Sequence, residues 1–328
     1  MSSLDLIIVH HADVASTREC VASELAELGD VAGVGRSRVL VVDNGPTDEL
    51  DALVQFENVV VLPAPHRQGF GANVTFAARA SDADLLLLLN DDARIKAPSI
   101  SALVAALDDE AVGAVGPRIF DGEGSSVASA WHFPDLVGVV SFALRRDGPP
   151  WVQSQVERTT RVDVLSGAVL MIRRSTFVDV LGGFDPDFFM FSEDADLCRR
   201  LADRRLHRLI VHAATASHIG QGSTKGFERR RDVEQWRSRS IYWRKHHSPA
   251  ERAMIRAVYS GAYVVGALAA MARRIARHQA RGRSRRLLFL AGAALRTPSG
   301  PGLAELAADW NRGSTGVLGA RKRLRAVQ

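Results

Sequence analysis

The strongest constraint on the fold is a pattern in the first half of the chain, where short aliphatic runs alternate with helix-like stretches. The runs lack alternating polar residues, which is typical of parallel strands buried on both faces. Strands that alternate with helices predict a doubly wound α/β fold. We expect strands at residues 4–9, 39–42, 59–62, 85–89 and 112–115, and helices at residues 16–28, 48–54, 72–80 and 98–107.

The rest of the first two thirds of the chain is less regular. Residues 118–160 are rich in glycine, proline and aromatic residues, and they are expected to form loops and hairpins. Regular structure is predicted to return at residues 162–174, followed by a helix from Ser175, a helix from Ser192 to about Ala202, and a short strand at residues 209–211.

The charge of the chain divides near residue 224. The formal net charge is +5, but residues 225–328 hold 23 of the 42 Lys and Arg residues and only 6 of the 37 Asp and Glu residues. This asymmetry predicts two regions, 1–224 and a basic helical region 225–328. The two cysteines offer no disulfide framework, and the first apolar run is too short for a signal peptide, so a cytoplasmic location is expected.

Polar residues follow four of the predicted strands. Ligands of doubly wound folds bind at the carboxyl ends of the strands, so these clusters are the candidate site. The clusters are His10-His11, Asp43-Asn44, Gly69-Phe70-Gly71-Ala72-Asn73 and Asn90-Asp91-Asp92.

The pair Asp91-Asp92 is the sharpest of these signals. Two adjacent carboxylates repel each other unless a cation or a proton joins them. Mg²⁺ and Mn²⁺ take such oxygen ligands and often bridge them to phosphates. An ordinary strand-to-helix turn with capping acids is the alternative interpretation.

A second acidic cluster, Glu193-Asp194-Ala195-Asp196, follows an aromatic run. An apolar wall raises the pKa of a carboxyl group towards that of a useful general base. Helix capping, with Ser192 as the N-cap, is the competing explanation. A lone histidine such as His218 is usually structural or exposed. Because imidazole binds transition metals, His218 becomes a candidate metal ligand only if it lies beside the two acidic clusters.

Taken in order, these motifs resemble the family 2 inverting glycosyltransferases with the GT-A fold, and most of all the bacterial rhamnosyltransferase type. The resemblance covers about residues 4–223. It is carried by Asp43-Asn44-Gly45-x-Thr47-Asp48, Gly69-Phe70-Gly71-Ala72-Asn73, Asn90-Asp91-Asp92, Gly167-Ala168 with Arg173-Arg174, Gly183-Phe184-Asp185 and Glu193-Asp194-Ala195-Asp196-Leu197.

The resemblance implies a role for each matching residue. Asp194 would be the catalytic base, with Glu193 beside it. Asp92 and His218 would hold Mg²⁺ or Mn²⁺ on the diphosphate of the donor. The nucleotide would be bound by His11, Asp43, Asn44, Gly71, Asn73 and Asp91.

The function implied is transfer of a sugar from dTDP-rhamnose or a UDP-sugar to a hydroxyl of a glycan or lipid-linked acceptor, in the synthesis of cell-envelope polysaccharide. The acceptor would be carried on a polyprenyl diphosphate. A sugar nucleotidyltransferase and a non-catalytic sugar-nucleotide-binding relative are the alternatives. Nucleic acid is not expected as a partner, because the acidic first region would repel phosphates.

The basic region contains a run of 16 residues without formal charge, 257–272, followed at once by dense arginine. Such a run is short for a bilayer span, which needs about 20 apolar residues. An apolar helix beside arginines predicts peripheral binding to an anionic membrane surface. Packing on the catalytic region, or a dimer contact, is the alternative.

Overall fold

The computed structural model describes residues 1–11, 13–45, 48–127, 129–144, 158–218, 227–277 and 282–314. The strands within them are β1 Ser2–His10, β2 Val34–Asp43, β3 Val59–Pro63, β4 Leu85–Asn90, β5 Ala93–Ile95, β6 Val112–Phe120, β7 Ala130–Trp131, β8 Thr160–Arg161, β9 Val164–Leu165, β10 Val169–Arg173 and β11 His207–His218. In these residues a nine-stranded sheet has the order β3-β2-β1-β4-β10-β6-β11-β5, with β8 paired to β11, and β7 pairs separately with β9.

The first half of the sheet is parallel, as the sequence predicts. β1 pairs in parallel with β2 and with β4, and β2 pairs in parallel with β3. All five strands expected in the first half are present. The predicted strand at residues 209–211 is the middle of the much longer β11.

One strand departs from the doubly wound pattern. β10 runs antiparallel to both of its neighbours, β4 and β6, so the sheet is mixed. Its first residue, Val169, pairs with Leu89 near the carboxyl end of β4. The chain therefore enters β10 at the edge of the sheet where the candidate site lies.

Both faces of the sheet are buried, as the aliphatic runs require. Along β4, Leu86 and Leu88 belong to one hydrophobic cluster, whereas Leu85, Leu87 and Leu89 belong to the other. Alternate side chains of a strand point to opposite faces, so each face packs its own layer of helices.

Helices α1 Val14–Leu28, α2 Phe70–Ala80, α3 Ala97–Ala106, α4 Leu136–Leu144 and α5 Glu193–Asp203 cover the sheet. Three predicted segments differ. The helix expected at residues 48–54 is a 3-10 segment, Asp48–Gln55, and the helix expected from Ser175 is a π-helical turn, Ser175–Val180. The expected loop region contains α4, because its apolar residues find a partner in the basic region; residues 145–157 of that loop region lie outside the described residues.

The basic region is helical, as expected, with α6 Glu228–His246, α7 Pro249–Arg277, α8 Gly282–Leu295 and α9 Leu303–Ser314. Trp236, Tyr242 and Trp243 of α6 are fully buried in the same hydrophobic cluster as Leu88 of β4. The two regions therefore share a core. The predicted boundary at residue 224 lies outside the described residues.

Helix α7 is longer than its uncharged run. Its segment Pro249–Ala272 has 24 residues with a mean hydropathy of 1.4 and is 22% buried, so by length and composition it is apolar enough to cross a membrane. The side chains of Ile255, Tyr259 and Ala267 pack inside the protein. Val264, Val265 and Leu268 are exposed instead.

Candidate functional site

The candidate site forms where several strands end at one edge of the sheet. β1 ends at His10 and β2 at Asp43, and these two residues are partners across the parallel pair. β4 ends at Asn90 on the other side of β1, and β11 ends at His218. Polar clusters that are far apart in the sequence therefore lie side by side.

Asp92 and His218, both predicted to bind metal, are in direct contact. Nε2 of His218 lies 3.0 Å from Oδ1 of Asp92, and Nδ2 of Asn90 lies 3.3 Å from the same nitrogen. The side chains of Asp92 and His218 are 19% and 21% exposed, so a ligand can reach them. A carboxylate beside an imidazole is a donor set that suits Mn²⁺, with phosphate oxygens and water as the other ligands.

No cluster of three or more His, Cys, Asp or Glu residues able to hold a metal occurs in the part of the chain that the structure describes. Asp92 and His218 alone leave coordination positions open, and divalent cations commonly fill such positions with phosphate oxygens or water.

Asp91, predicted to bind the nucleotide, faces the first turn of α1. Its Oδ2 accepts a hydrogen bond of 3.2 Å from the hydroxyl of Thr17, and its carbonyl accepts one of 3.1 Å from Ser16. Burial, helped by the charge of Asp92, raises the pKa of Asp91 to about 6. A nearby cation or a bound proton would relieve the repulsion between the two carboxylates.

The loops after β1 and β2 form the predicted nucleotide pocket. Asp43 is buried and accepts a hydrogen bond of 3.2 Å from the main-chain N–H of Gly45. The side chain of Asn44 is also buried, and it both donates to and accepts from the main chain of Gln68. His11 is partly exposed, and burial together with the charge of Arg67 lowers its pKa to about 4, so its ring is neutral at physiological pH.

Arg67 joins these two loops and was not anticipated from the sequence. Its Nη2 donates to the carbonyl of His11 at 2.8 Å, and its Nε donates to the carbonyl of Asn44 at 3.2 Å. The guanidinium carbon lies 4.5 Å from the centre of the Trp310 ring, which belongs to α9.

Asn311, the next residue of α9, fixes the main chain of Arg67. Its Oδ1 accepts from the N–H of Arg67 at 2.8 Å, and its Nδ2 donates to the Arg67 carbonyl at 2.9 Å. The last described helix therefore holds a loop of the predicted nucleotide pocket that lies 244 residues earlier. No local sequence pattern signals such a contact.

Gly71 and Asn73, also predicted to bind the nucleotide, make close contacts within the protein. A Cβ atom on Gly71 would lie 2.9 Å from Cβ of Phe184, and one on the neighbouring Gly69 would lie 1.8 Å from the carbonyl oxygen of Phe189. Asn73 is fully buried and donates to the carbonyls of Gln68 and Gly69. These contacts hold α2 against the aromatic run that precedes α5, and nucleotide binding by Gly71 and Asn73 stays a prediction.

The predicted base, Asp194, lies at the start of α5. Its Oδ1 accepts from the N–H of Ala195 at 2.8 Å, and its Oδ2 accepts a longer bond of 3.4 Å from the N–H of Gly167. Burial raises the pKa of Asp194 and that of its neighbour Glu193. Oε2 of Glu193 is buried and has no hydrogen-bond partner among the described residues, so this group favours the protonated form.

Capping by Ser192 does not explain this cluster. Ser192 has the left-handed conformation, with φ at 62°, and its side chain makes no capping hydrogen bond. Phe191 before it also has a positive φ of 70°. Two consecutive non-glycine residues in this region are uncommon, and such strained turns concentrate at functional sites.

Asp196 ties the same helix, α5, to α6. It is 1% exposed, and its carboxylate accepts hydrogen bonds of 2.7 Å from Arg200 and 2.8 Å from Nε2 of His246 on α6. Arg200 also donates to the carbonyls of Leu181 and Gly183. Asp196 thus fixes α5, whereas Asp194, two residues earlier, faces the sheet edge.

Asp194 and Asp92 share that edge through the start of β10. Gly167, which donates to Asp194, precedes Ala168, whose carbonyl accepts from the N–H of Asn90 at 2.9 Å. Asn90 is two residues before Asp92. The acidic clusters that the sequence separates are thus connected through two residues of main chain.

This edge of a mixed α/β sheet bears a carboxylate–imidazole pair on one side and the acidic pair Glu193-Asp194 on the other, and the fold is that of the GT-A glycosyltransferases. A family model described as glycosyl transferase family 2 matches residues 5–181. The chain belongs to that family, and it is a glycosyltransferase of the rhamnosyltransferase-like kind.

Two relatives agree with this assignment, and a solved structure agrees with the fold. The chain is 34% identical over 240 residues to the N-acetylglucosaminyl-diphospho-decaprenol L-rhamnosyltransferase of Mycobacterium tuberculosis, covering 66% of this chain and 78% of that one. It is 32% identical over 171 residues to rhamnosyltransferase WbbL of Escherichia coli, covering 48% and 64%. The mannosyltransferase PcManGT of Pyrobaculum calidifontis, solved with GDP-Man and Mn²⁺, superposes with a TM-score of 0.54 at 15% identity, covering 94% and 83%.

Proposed function

We propose that this protein transfers a sugar, with rhamnose from dTDP-rhamnose as the first candidate, to a hydroxyl group of a lipid-linked glycan, with inversion at the anomeric carbon. The observation that carries the proposal is the position of Asp194, beside the main chain of Gly167 at the sheet edge that also bears Asp92. The names of the relatives support the sugar and the lipid-linked acceptor, and hence a role in cell-envelope polysaccharide synthesis.

The donor would lie along the carboxyl ends of β1, β2 and β4. The nucleoside would occupy the loops that carry His11 and Asp43, which Arg67 ties together. The neutral ring of His11 is suited to stack on a base, and the carboxylate of Asp43 is suited to accept from the base or the ribose. The diphosphate would extend towards Asp92 and His218.

Asp92 and His218 are the residues that would hold Mg²⁺ or Mn²⁺. When bound, the cation offsets the negative charge that develops on the leaving diphosphate. The pair matches the chemistry of the Mn²⁺ found with the mannosyltransferase neighbour, which favours a divalent cation for this class of fold.

Asp194 would take the proton of the acceptor hydroxyl. The oxygen of that hydroxyl forms a bond to the anomeric carbon while the bond from that carbon to the diphosphate oxygen breaks, so the new linkage is on the opposite face of the sugar. The raised pKa of Asp194 improves its ability to accept the proton. Protonation of the buried Glu193 leaves one negative charge on the acidic pair and keeps Asp194 ionised.

The test is the variant Asp194→Asn, assayed for sugar transfer and, separately, for nucleotide binding. A general base contributes about 10²–10⁴-fold, so the transfer rate should fall by at least about 100-fold while the affinity for dTDP stays within about twofold. Asp203→Asn is the matched control, because Asp203 lies at the other end of α5 and is exposed. Transfer by Asp194→Asn at more than a tenth of the normal rate would remove Asp194 from this role.

The exposed apolar side of α7 supports a second part of the proposal, that the protein binds the surface of an anionic membrane. Val264, Val265 and Leu268 are exposed on this helix. Apolar side chains beside arginines bind anionic lipid. Val265→Glu should reduce co-sedimentation with phosphatidylglycerol vesicles, whereas unchanged co-sedimentation would argue for a protein contact.

A further inference from the structure

A cleft of about 890 Å³ lies in the basic region, between α6, α8 and the segment 296–301. None of the residues assigned to the donor, to the metal or to the base lines it. The cleft has two chemical halves. Its cationic residues are Arg229, Arg230 and Arg296, and its apolar residues include Val233, Leu288 and Phe289.

The cationic half carries an excess of positive charge. Three arginines and one acid, Glu228, line the cleft, which gives a formal excess of two positive charges. The guanidinium carbon of Arg229 lies 5.4 Å from the centre of the Phe289 ring, so this side chain is held in place by a cation–π contact. Arg296 is exposed at the end of α8. Guanidinium groups form bidentate hydrogen bonds with phosphate oxygens. A diphosphate therefore matches both the hydrogen-bonding groups and the positive charge of this half of the cleft.

The apolar half continues onto the surface of α8. Leu288 lines the cleft and is 46% exposed, and Leu295, seven residues further along the same helix, is 55% exposed. Residues seven apart lie on the same face of a helix, so an apolar track leads out of the cleft along α8. A ligand with an anionic head and a hydrocarbon chain fits both halves at once.

The cleft is also within reach of the donor site. Its residue Pro301 is separated from the start of α9 by Gly302 alone, and Asn311 of α9 is hydrogen-bonded to Arg67 in the predicted donor pocket. At 1.5 Å per residue, the eight residues from Leu303 to Asn311 span about 12 Å. A sugar joined to a diphosphate can extend over a distance of that order, from the cleft towards the predicted donor pocket.

We propose that this cleft binds the isoprenoid diphosphate part of the acceptor. The diphosphate lies against Arg229 and Arg296, and the first isoprene units lie along Phe289 and Leu288. The inference rests on the proposed function for the identity of the acceptor, but the charge, the apolar lining and the volume come from the cleft itself.

The test uses the full chain and farnesyl diphosphate as the probe, measured by isothermal titration calorimetry. The double variant Arg229→Gln/Arg296→Gln should raise the dissociation constant of farnesyl diphosphate at least tenfold. The matched control is Arg285→Gln, an exposed arginine of α8 that does not line the cleft, and it should leave the constant unchanged. The melting temperature of the double variant checks that it is folded.

Two further ligands separate the sources of binding. Inorganic diphosphate should bind at least tenfold more weakly than farnesyl diphosphate, because it makes no use of the apolar half. Phosphatidylglycerol vesicles should not displace farnesyl diphosphate from the protein as the total vesicle surface is increased. Equal binding of inorganic and farnesyl diphosphate, displacement by vesicles, or an unchanged constant in the double variant would each overturn the proposal.

Failure of the proposed function would look different. If the unmodified protein binds farnesyl diphosphate but hydrolyses no nucleotide sugar, the transferase proposal fails and the lipid site stands. If nucleotide sugars are hydrolysed but Arg229→Gln/Arg296→Gln does not weaken the binding of farnesyl diphosphate, the lipid site fails and the transferase proposal stands. In kinetics, the double variant should raise KM for a lipid-linked acceptor and leave KM for a short acceptor without the isoprenoid unchanged.

Discussion

Asn311 offers a direct test of whether the last described helix shapes the predicted donor pocket. In Asn311→Ala, the main-chain N–H and carbonyl of Arg67 lose hydrogen bonds of 2.8 and 2.9 Å. A neutral hydrogen bond contributes about 1 kcal/mol net, so the docked form of the loop loses about 2 kcal/mol. Partial exposure of both residues lets water replace some of this, which sets a range of about 1–2 kcal/mol.

That loss translates into weaker nucleotide binding. The nucleotide needs the docked loop, and each 1.4 kcal/mol corresponds to a factor of ten, so the dissociation constant of dTDP should rise by about 5- to 30-fold. At saturating donor, kcat should change little, because the bound nucleotide restores the docked loop. Calorimetry with dTDP and Mn²⁺ and a comparison of KM with kcat measure the two effects.

The control is Asp309→Ala, on the same helix, since the side chain of Asp309 is 58% exposed. It should leave dTDP affinity unchanged. Asn311→Asp keeps the acceptor for the Arg67 N–H but loses the donor, so its affinity should fall between those of the normal protein and Asn311→Ala. Normal dTDP affinity in Asn311→Ala would refute the idea that α9 holds this loop.

Three other predictions concern the metal, the base and the helix that carries it. Asp92→Asn should raise the Mn²⁺ concentration for half-maximal activity at least tenfold, while metal-free nucleotide binding changes little; an unaltered Mn²⁺ requirement would contradict this site. Because the pKa of Asp194 is raised above the ordinary aspartate value of about 3.9, kcat/KM should fall as the pH drops through a midpoint well above pH 4, and a pH–rate profile flat down to pH 4 would be inconsistent with this base. His246→Ala removes a donor to the buried carboxylate of Asp196, so it should cost about 1.5–3 kcal/mol and lower the melting temperature by several degrees, whereas His246→Gln should retain part of that stability.

Much of the parallel half of the sheet is predictable from the sequence, because strands that are buried on both faces consist of uninterrupted aliphatic residues. The five leucines before Asn90 divide between two cores, as such a run requires. The antiparallel direction of β10 leaves no comparable mark, since a short buried strand reads the same in either direction.

The acidic residues of the candidate site are also predictable from the sequence, since adjacent carboxylates directly after a buried strand are unusual. The residues that hold the loops of the site in place are not predictable in this way. Arg67 looks like an ordinary loop residue, and its partners on α9 are more than 240 residues away, beyond any local pattern. Ser192 has the composition of a helix cap, but the left-handed turn around it depends on packing that periodicity does not describe.

The hydrogen bonds between Arg67 and Asn311 also imply an order in which parts of the protein reach their final form during synthesis. Asn311 is added 244 residues after Arg67, so the strands beside this loop emerge from the ribosome long before the side chain that secures it. A nascent chain with a complete parallel sheet therefore still lacks a contact that holds its predicted nucleotide pocket. We expect such a chain to bind sugar nucleotides weakly until the helical region has joined the sheet.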